Sequence, residues 1–570
     1  MRLNSKATLF ILVFSVSVLT LLPFLGLTDF HTKGEPREAI VSVSMIQTDN
    51  WVLPENNGGD IAYKPPMFHW IAAALSMPYG TVTEFSSRLP SALATIILAL
   101  CCFMFFAKRT TNNLAFLTTL LFLSAFEVHR AAMAARVDMV LTLFIVTALF
   151  QLFKWTEKGL RGFPLIATLL MGAATLTKGP VGIILPCLVS GIYLLIKREK
   201  FLRICLKFIP VVIVSCILPG IWYYLAWKQG GDNFINLVIE ENFGRFMGKM
   251  SYESHEQSIF YYIYTTLAGF IPWSILVVIS LFSFRPKKIK GKPTEWWNYF
   301  KNYIKTMDSV RLFSLLSFAV IFVFYCIPKS KRSVYLLPVY PFLAYFLAEY
   351  MLWLIQNRSK VWKIFGAFLS ILTSLVILIF ITLKTGWINP DILPAKYSAL
   401  ASHYITALQT PWNIGSILSL IVLIIVLYHV YKNKRDLTIN NRYLYTIVAL
   451  FFWLQILLDA FILPGILNAK SMRPFAEQVK ETVPTGNIYS YVSAPMMHFF
   501  IVNFYNDNRV IDFEKENRPE TGFLLVGKHD FNFIQEEYGK KYHFEPILIS
   551  ERKGNDVKDI IYLYKFTEIK

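Results

Sequence analysis

The chain has 570 residues, of which 55% are hydrophobic, 16% aromatic and only 16% charged. The apolar residues come in long blocks rather than at amphipathic spacing, which argues against a soluble core and predicts an α-helical polytopic membrane protein. The net charge of +19 would suggest a nucleic-acid partner in a soluble protein, but here the cations are spread over short loops between apolar blocks, where they set orientation, so no nucleic acid is expected.

With about 20 apolar residues per crossing, and fewer for buried spans, about thirteen transmembrane helices are predicted. They cover 8–27, 85–107, 113–126, 137–153, 163–177, 181–196, 208–227, 259–284, 312–327, 334–355, 364–383, 412–430 and 444–463. The first run follows Arg2 and Lys6 without a small-residue cleavage site, and is read as a retained helix. All six cysteines lie in or beside apolar runs, so no disulfide framework or metal spacing is implied.

With the N-terminus inside, every second connection is short or densely basic ("KRT", "KWTEKGLR", "KREKFLR", "RPKKIKGKPTEWWNYFKNYIK", "QNRSKVWK", "YKNKRDLTINNR"), as the positive-inside rule expects. The other connections hold most of the acids, histidines and prolines and form the expected extracytoplasmic working face: 29–84, 127–136, the Lys178 turn, 228–258, 328–333 and 384–411. The segment "PKSKRS", with Lys329, Lys331 and Arg332, falls on that outer side against the rule. Residues 1–465 are thus expected to form the membrane domain. From 468 to 570, short β-rich runs ("NIYSYV", "RVIDF", "GFLLVG", "DIIYLYKF") alternate with helical stretches such as "DFNFIQEEYG", predicting a small C-terminal α/β domain outside the membrane.

In the first outer loop, "EPREAIVSVSMIQ" has an acid, a proline and then helical spacing, so an interfacial helix should present Glu35 and Arg37 near its start. In "YKPPMFHW" the two prolines forbid a helix start before Pro66 and fix the backbone carrying Tyr63 and Lys64. Arg88, Arg136 with Asp138, Lys178, and Glu241, Asn242, Arg245 and His255 complete the outer polar set. Any one such cation usually snorkels or holds a lipid headgroup. Together they suit an anionic phosphate beside a group that accepts a proton: cations stabilise the charge growing on a departing lipid phosphate while a carboxylate deprotonates the attacking hydroxyl.

The motifs "GEPREA", "DNWVLPENNGGDIAYKPPMFHWIAAA", "EFSSRLPSAL", "ARVDMVLTLF", "LTKGP", "ENFGRF" and "PKSKRSVYLLPVYP", in that order, resemble the aminoarabinose transferase-like branch of the integral-membrane (GT-C) glycosyltransferases, related to the protein O-mannosyltransferases. The resemblance implies a GT-C fold in the cell (inner) membrane that transfers a sugar, with inversion, from an undecaprenyl phosphate donor to a lipid A-like or other extracytoplasmic acceptor. It places Glu35 and Asp138 in the catalytic motifs. It puts Lys64, Arg245, Lys329, Lys331 and Tyr335 at the donor and its phosphate; Arg37, Arg88, Lys178 and Arg332, the last off the family pattern, are expected as further donor contacts from their place on the outer face. Tyr63, Glu241, Asn242 and His255 are candidate donor or acceptor contacts. The chain departs from the family pattern at Gly34, where relatives usually carry an aspartate, at Tyr63, often an acid, and at Asn242, often a histidine; the base is therefore Glu35 or Asp138. A divalent cation is left open as a cofactor, but the departure at Asn242 argues against a family-type metal site, for which His255 with Glu256 is only a weak substitute. The alternative readings are a lipid or lipid-linked sugar transporter, which should show repeated halves and midplane charges, and a scaffold that only binds lipid phosphate.

Overall fold

The computed structural model describes residues 5–244, 247, 256–284, 293–387, 395–434, 441–515 and 517–569. Nine of its helices are long and apolar enough to cross a membrane, or up to eleven if each of two bent pairs is one span, and two shorter apolar helices, Leu165–Lys178 and Val181–Ile196, lie among them. Each of the thirteen stretches read from the sequence falls on one of these elements. This is a multi-span membrane protein. The bent pairs are Asn112–Ser124 with Phe126–Ala132, at 66°, and Tyr261–Gly269 with Trp273–Leu281, at 109°.

The helices begin where the sequence supplies side-chain acceptors for their free N–H groups. Thr83 and Ser86 form a reciprocal cap at the start of Glu84–Ala107, as Asn413 and Ser416 do for Ile414–Asn433. The core is made by Glu84–Ala107, Val137–Glu157 and Tyr340–Asn357, with Phe106 stacked on Tyr345 at 4.9 Å between centroids and Phe105 on Phe150 at 4.0 Å. Helix Phe201–Ile239 instead exposes Leu202, Leu206, Ile209, Ile213 and Ile217, a face that only lipid would cover.

The C-terminal unit is a five-stranded sheet in the order β4-β3-β5-β7-β6, built from β3 (Ile488–Tyr491), β4 (Val510–Asp512), β5 (Thr521–Gly527), β6 (Tyr542–Lys553) and β7 (Ile560–Glu568). β3 runs parallel to β4 and β5, and β7 antiparallel to β5 and β6. Successive residues point to opposite faces. Leu525 and Leu563 therefore pack with helices Arg473–Thr482 and Phe500–Tyr505, while Leu524, Val526 and Phe566 pack on the other side with Ile534 of Asp530–Tyr538.

This unit sits on the first long loop. Arg473 pairs with Asp29 at 3.0 Å, Tyr505 donates to Glu84 at 2.6 Å, and Phe30 meets Phe504 edge-on at 4.8 Å. A two-stranded hairpin, β1 (Glu55–Asn56) and β2 (Asp60–Ile61), is clamped the same way: Asn503 donates to Asn57 at 2.7 Å and His498 meets Asp60 at 2.6 Å. Gly58, at φ +76°, lies so close to the Ile511 backbone that a Cβ would overlap it. The described parts of the connections assigned to one side by alternation meet at one end of the helix bundle: the Ala135 N–H bonds Glu35, Tyr63 bonds Glu241, and His403 bonds the Ala469 carbonyl. At the other end Arg109 holds Glu157 and Tyr445 bonds Asn113.

Candidate active site

Helix Gly34–Thr48 forms where the first loop was expected to be helical. Pro36 presets the first turn and Glu35 lies where the helix dipole favours an anion. Ala39, Ile40, Val41 and Met45 bury its apolar side. That docking fixes three charged residues of the first turns in different surroundings.

Glu35 faces inward. Arg88 donates to it through Nε at 2.8 Å and Nη2 at 3.3 Å, and the Ala135 N–H adds a bond at 3.0 Å. Arg88 spends its remaining donors on the Leu25 carbonyl at 2.7 Å, on Thr28 at 2.6 and 2.9 Å and on the Asp29 carbonyl at 3.5 Å. Burial pushes the Glu35 carboxyl up, and the Arg88 charge with these hydrogen bonds outweighs it, holding the group below its ordinary range. With both oxygens engaged and only 6% of its surface exposed, Glu35 is not disposed to take a proton from a substrate. The pair ties the first loop to the second span. Arg88 belongs to that tie and not to a donor-facing surface.

Glu38, which sequence reasoning did not single out, holds the centre of the first loop. Arg37 bonds it at 3.0 Å, Lys64 lies at 3.6 Å, and buried His69 meets its other oxygen at 3.0 Å. Burial raises this carboxyl, and Lys64, Arg37 and His69 more than reverse the effect, leaving it well below the ordinary range. The Arg37 Nε is buried without a hydrogen-bond partner among the described residues. Pro65 and Pro66 end the loop just before helix Met67–Ser76, which carries His69, so Lys64 and His69 reach Glu38 from a stiff corner.

The second carboxylate centre is Asp138, in the first turn of Val137–Glu157. Lys178, at the end of Leu165–Lys178, donates to its Oδ1 at 2.5 Å, and the same ammonium lies 4.2 Å from the Tyr335 ring centroid. The other Asp138 oxygen has no hydrogen-bond partner among the described residues. Arg136 and Arg332 are both close enough to act on Asp138 electrostatically, and Arg136 also feels Glu38 and Arg37. Asp138, Glu38 and five cations (Arg37, Lys64, Arg136, Lys178 and Arg332) thus share one polar region.

Of the remaining expected residues, Tyr63 donates to Glu241 at 3.1 Å, joining the first loop to the π-helical turn Glu240–Gly244. Asn242 bonds the Val238 carbonyl at 2.9 Å, and its Oδ1 would touch a side chain at Gly179, so it borders the Lys178 turn. Lys331 corrects an expectation: its ammonium is buried and donates to the Pro328 carbonyl at 2.6 Å and the Gln257 carbonyl at 3.2 Å. It folds the "PKSKRS" loop instead of facing a ligand, because these two backbone carbonyls lie at a turn outside any helix and need a donor. Lys329 is exposed on that loop. Arg245 and His255 lie outside the described residues. Among the described residues no three of His, Cys, Asp and Glu come together as a metal site, and the carboxylates present are engaged by cations. These residues do not fit a divalent ion.

Residues 63–223 match the family described as dolichyl-phosphate-mannose-protein mannosyltransferase. A protein of Shewanella sediminis named undecaprenyl phosphate-alpha-4-amino-4-deoxy-L-arabinose arabinosyl transferase is 28% identical over 400 residues, covering 66% of each chain. A second protein of that name, from Proteus mirabilis, is 27% identical over 325 residues, 55% of this chain and 54% of its own. The matched segments therefore span between half and two thirds of these relatives. The crystal structure of ArnT from Cupriavidus metallidurans bound to undecaprenyl phosphate superposes with a TM-score of 0.68 at 18% identity, covering 97% of both chains, and its apo form with 0.66. The chain has the GT-C fold of those structures, with a small C-terminal sheet domain, and resembles the aminoarabinose transferase-like branch of the integral-membrane glycosyltransferases.

Proposed function

We propose that this chain is a glycosyltransferase that moves a sugar from a polyprenyl phosphate, undecaprenyl phosphate in the relatives' names, to a lipid or glycan acceptor at the extracytoplasmic face of the cell membrane, with inversion. The observation that carries this reading is Asp138: one oxygen held by Lys178, the other without a partner among the described residues, in a region where cations outnumber carboxylates. Asp138 takes the acceptor's proton, and Lys178 holds the carboxylate in line. As the bond from the sugar to the phosphate oxygen breaks, negative charge grows on that phosphate, and Arg37, Lys64 and Arg332 are placed to stabilise it. Tyr335, stacked on Lys178, keeps that ammonium on Asp138. Glu35 and Arg88 support the loop that presents Arg37 and Glu38.

Lipid and glycan masses of cells with and without the gene test the activity. Loss of one sugar increment from an envelope component, with build-up of a polyprenyl phosphate sugar, is expected; identical spectra would refute it. The sidedness is tested separately with an impermeant thiol reagent on intact cells. Asn233→Cys should label and Lys290→Cys should not, and the reverse pattern would invert the topology.

A further inference from the structure

Arg136 differs from the other arginines near the carboxylates. Arg37 holds Glu38 and Arg88 holds Glu35, whereas the Arg136 side chain makes no hydrogen bond or ion pair among the described residues. Its backbone is fixed, since the Ser91 hydroxyl donates to its carbonyl at 3.0 Å immediately before helix Val137–Glu157 begins. Its guanidinium lies against Gly34, where any Cβ would overlap Nη2, Cζ and Nη1, so the absence of a side chain at position 34 makes its place. Burial and the charges of Arg37 and Arg332 disfavour its charged form, and Asp138 and Glu38 offset this only in part. A partly desolvated cation with no bonded partner is costly to hold. Its planar fork matches two oxygens of a phosphate, as a lysine would not. Beside it, Arg37 keeps a buried Nε without a partner among the described residues.

We propose that Arg136 is a phosphate-binding residue of this site, and that Gly34 is the residue that lets its guanidinium take two oxygens of a polyprenyl phosphodiester. This rests on the glycosyltransferase reading and gives Arg136, which the motifs assigned no role of its own, a specific part in it. A phospholipid headgroup offers the same chemistry, so the test separates the two sources.

Purified full-length protein in neutral detergent is titrated with undecaprenyl phosphate and, separately, with phosphatidylglycerol, following thermal stabilisation. Wild type should be stabilised by undecaprenyl phosphate at concentrations where phosphatidylglycerol has little effect. Arg136→Ala should weaken undecaprenyl phosphate binding about tenfold or more, and Arg136→Lys should recover part of the loss. Gly34→Ala should weaken it comparably although Arg136 is intact, because the new methyl displaces the guanidinium. The Gly34→Ala and Arg136→Lys arms also cover the case in which Arg136→Ala does not fold. Wild-type affinity in the folded Arg136 and Gly34 variants would overturn the proposal. Equal, Arg136-dependent binding of phosphatidylglycerol would also overturn it, leaving a headgroup anchor. If wild type does not bind undecaprenyl phosphate at all, the glycosyltransferase reading itself fails.

Discussion

Two clusters of acid and arginine lie at the same end of this helix bundle and look alike in the sequence, yet they are built differently. At Glu35 and Arg88 every strong donor meets an acceptor: the guanidinium bonds a carboxylate, three carbonyls and a hydroxyl, with 2% of the arginine exposed. At Asp138 and Arg136, Lys178 satisfies one carboxylate oxygen, the second lacks a partner among the described residues, and the arginine has no bonded partner there. A saturated pair fixes geometry, because either charge left alone in a buried place is expensive. An unsaturated group retains the capacity to bind or to accept a proton. Pairing, more than burial or charge, separates the structural cluster from the chemical one.

The largest effect that could break this comparison is on turnover. Asp138→Asn should lower the single-turnover transfer rate by roughly a hundred- to ten-thousand-fold, the usual loss for a general base, with little change in undecaprenyl phosphate binding. A near wild-type rate would place the base elsewhere. Glu35→Gln should instead act on the fold. It leaves Arg88 buried without its counter-charge, a loss of about 3–5 kcal/mol by analogy with other broken buried pairs, read as a lowered melting temperature. Protein that folds normally but is as inactive as Asp138→Asn would merge the two clusters.

A third prediction concerns Asp556, buried within the C-terminal unit between β6 and β7, where burial pushes its carboxyl up to about 7 despite the Ile501 N–H and the Lys33 charge. The folded pKa lies above the unfolded one, so the folded state holds a proton the unfolded state has lost. Stability should fall as pH rises from about 4 to about 7, by a few kcal/mol at most, and Asp556→Asn should flatten that slope in pH-dependent melting. A slope unchanged in the variant would show that another group titrates. Within "PKSKRS", Arg332→Ala should weaken donor binding about tenfold, whereas Lys331→Ala should chiefly loosen the loop, costing about 1–3 kcal/mol through its unsatisfied carbonyls. Titration of both variants with undecaprenyl phosphate checks the order. The smallest effect is at the exposed Lys480–Asp507 pair, whose removal should change melting by less than about 1 kcal/mol.

Much of the architecture is legible in the sequence because a bilayer imposes length and polarity on each helix. The thirteen apolar stretches needed no tertiary information, and the β-rich runs marked four of the five strands of the C-terminal sheet. β6 was not legible. Its run "YHFEPILISERK" carries a proline, strong charges and two register shifts against β7, which blur the alternation that identifies a strand. For the site, spacing located the right loops but not the partners within them. Glu35 and Glu38 are three residues apart on one helix, and only packing against Arg88 and Lys64 decides which is a structural tie and which faces the cations. Lys331 and Arg332 are adjacent cations whose directions depend on the turn that holds them. One available signal was missed: Gly34, a departure from the family pattern, stands where the Arg136 guanidinium needs room.

The central claim, that a sugar leaves a polyprenyl phosphate in a reaction depending on Asp138, is tested most directly in membranes of cells lacking the gene, where the unused donor should build up. Purified wild-type protein added to such membranes should convert the polyprenyl phosphate sugar to free polyprenyl phosphate, with an equal gain of that sugar's mass on one envelope component, and Asp138→Asn should leave both unchanged. A donor that stays intact, or that only changes leaflet without losing its sugar, would contradict the account.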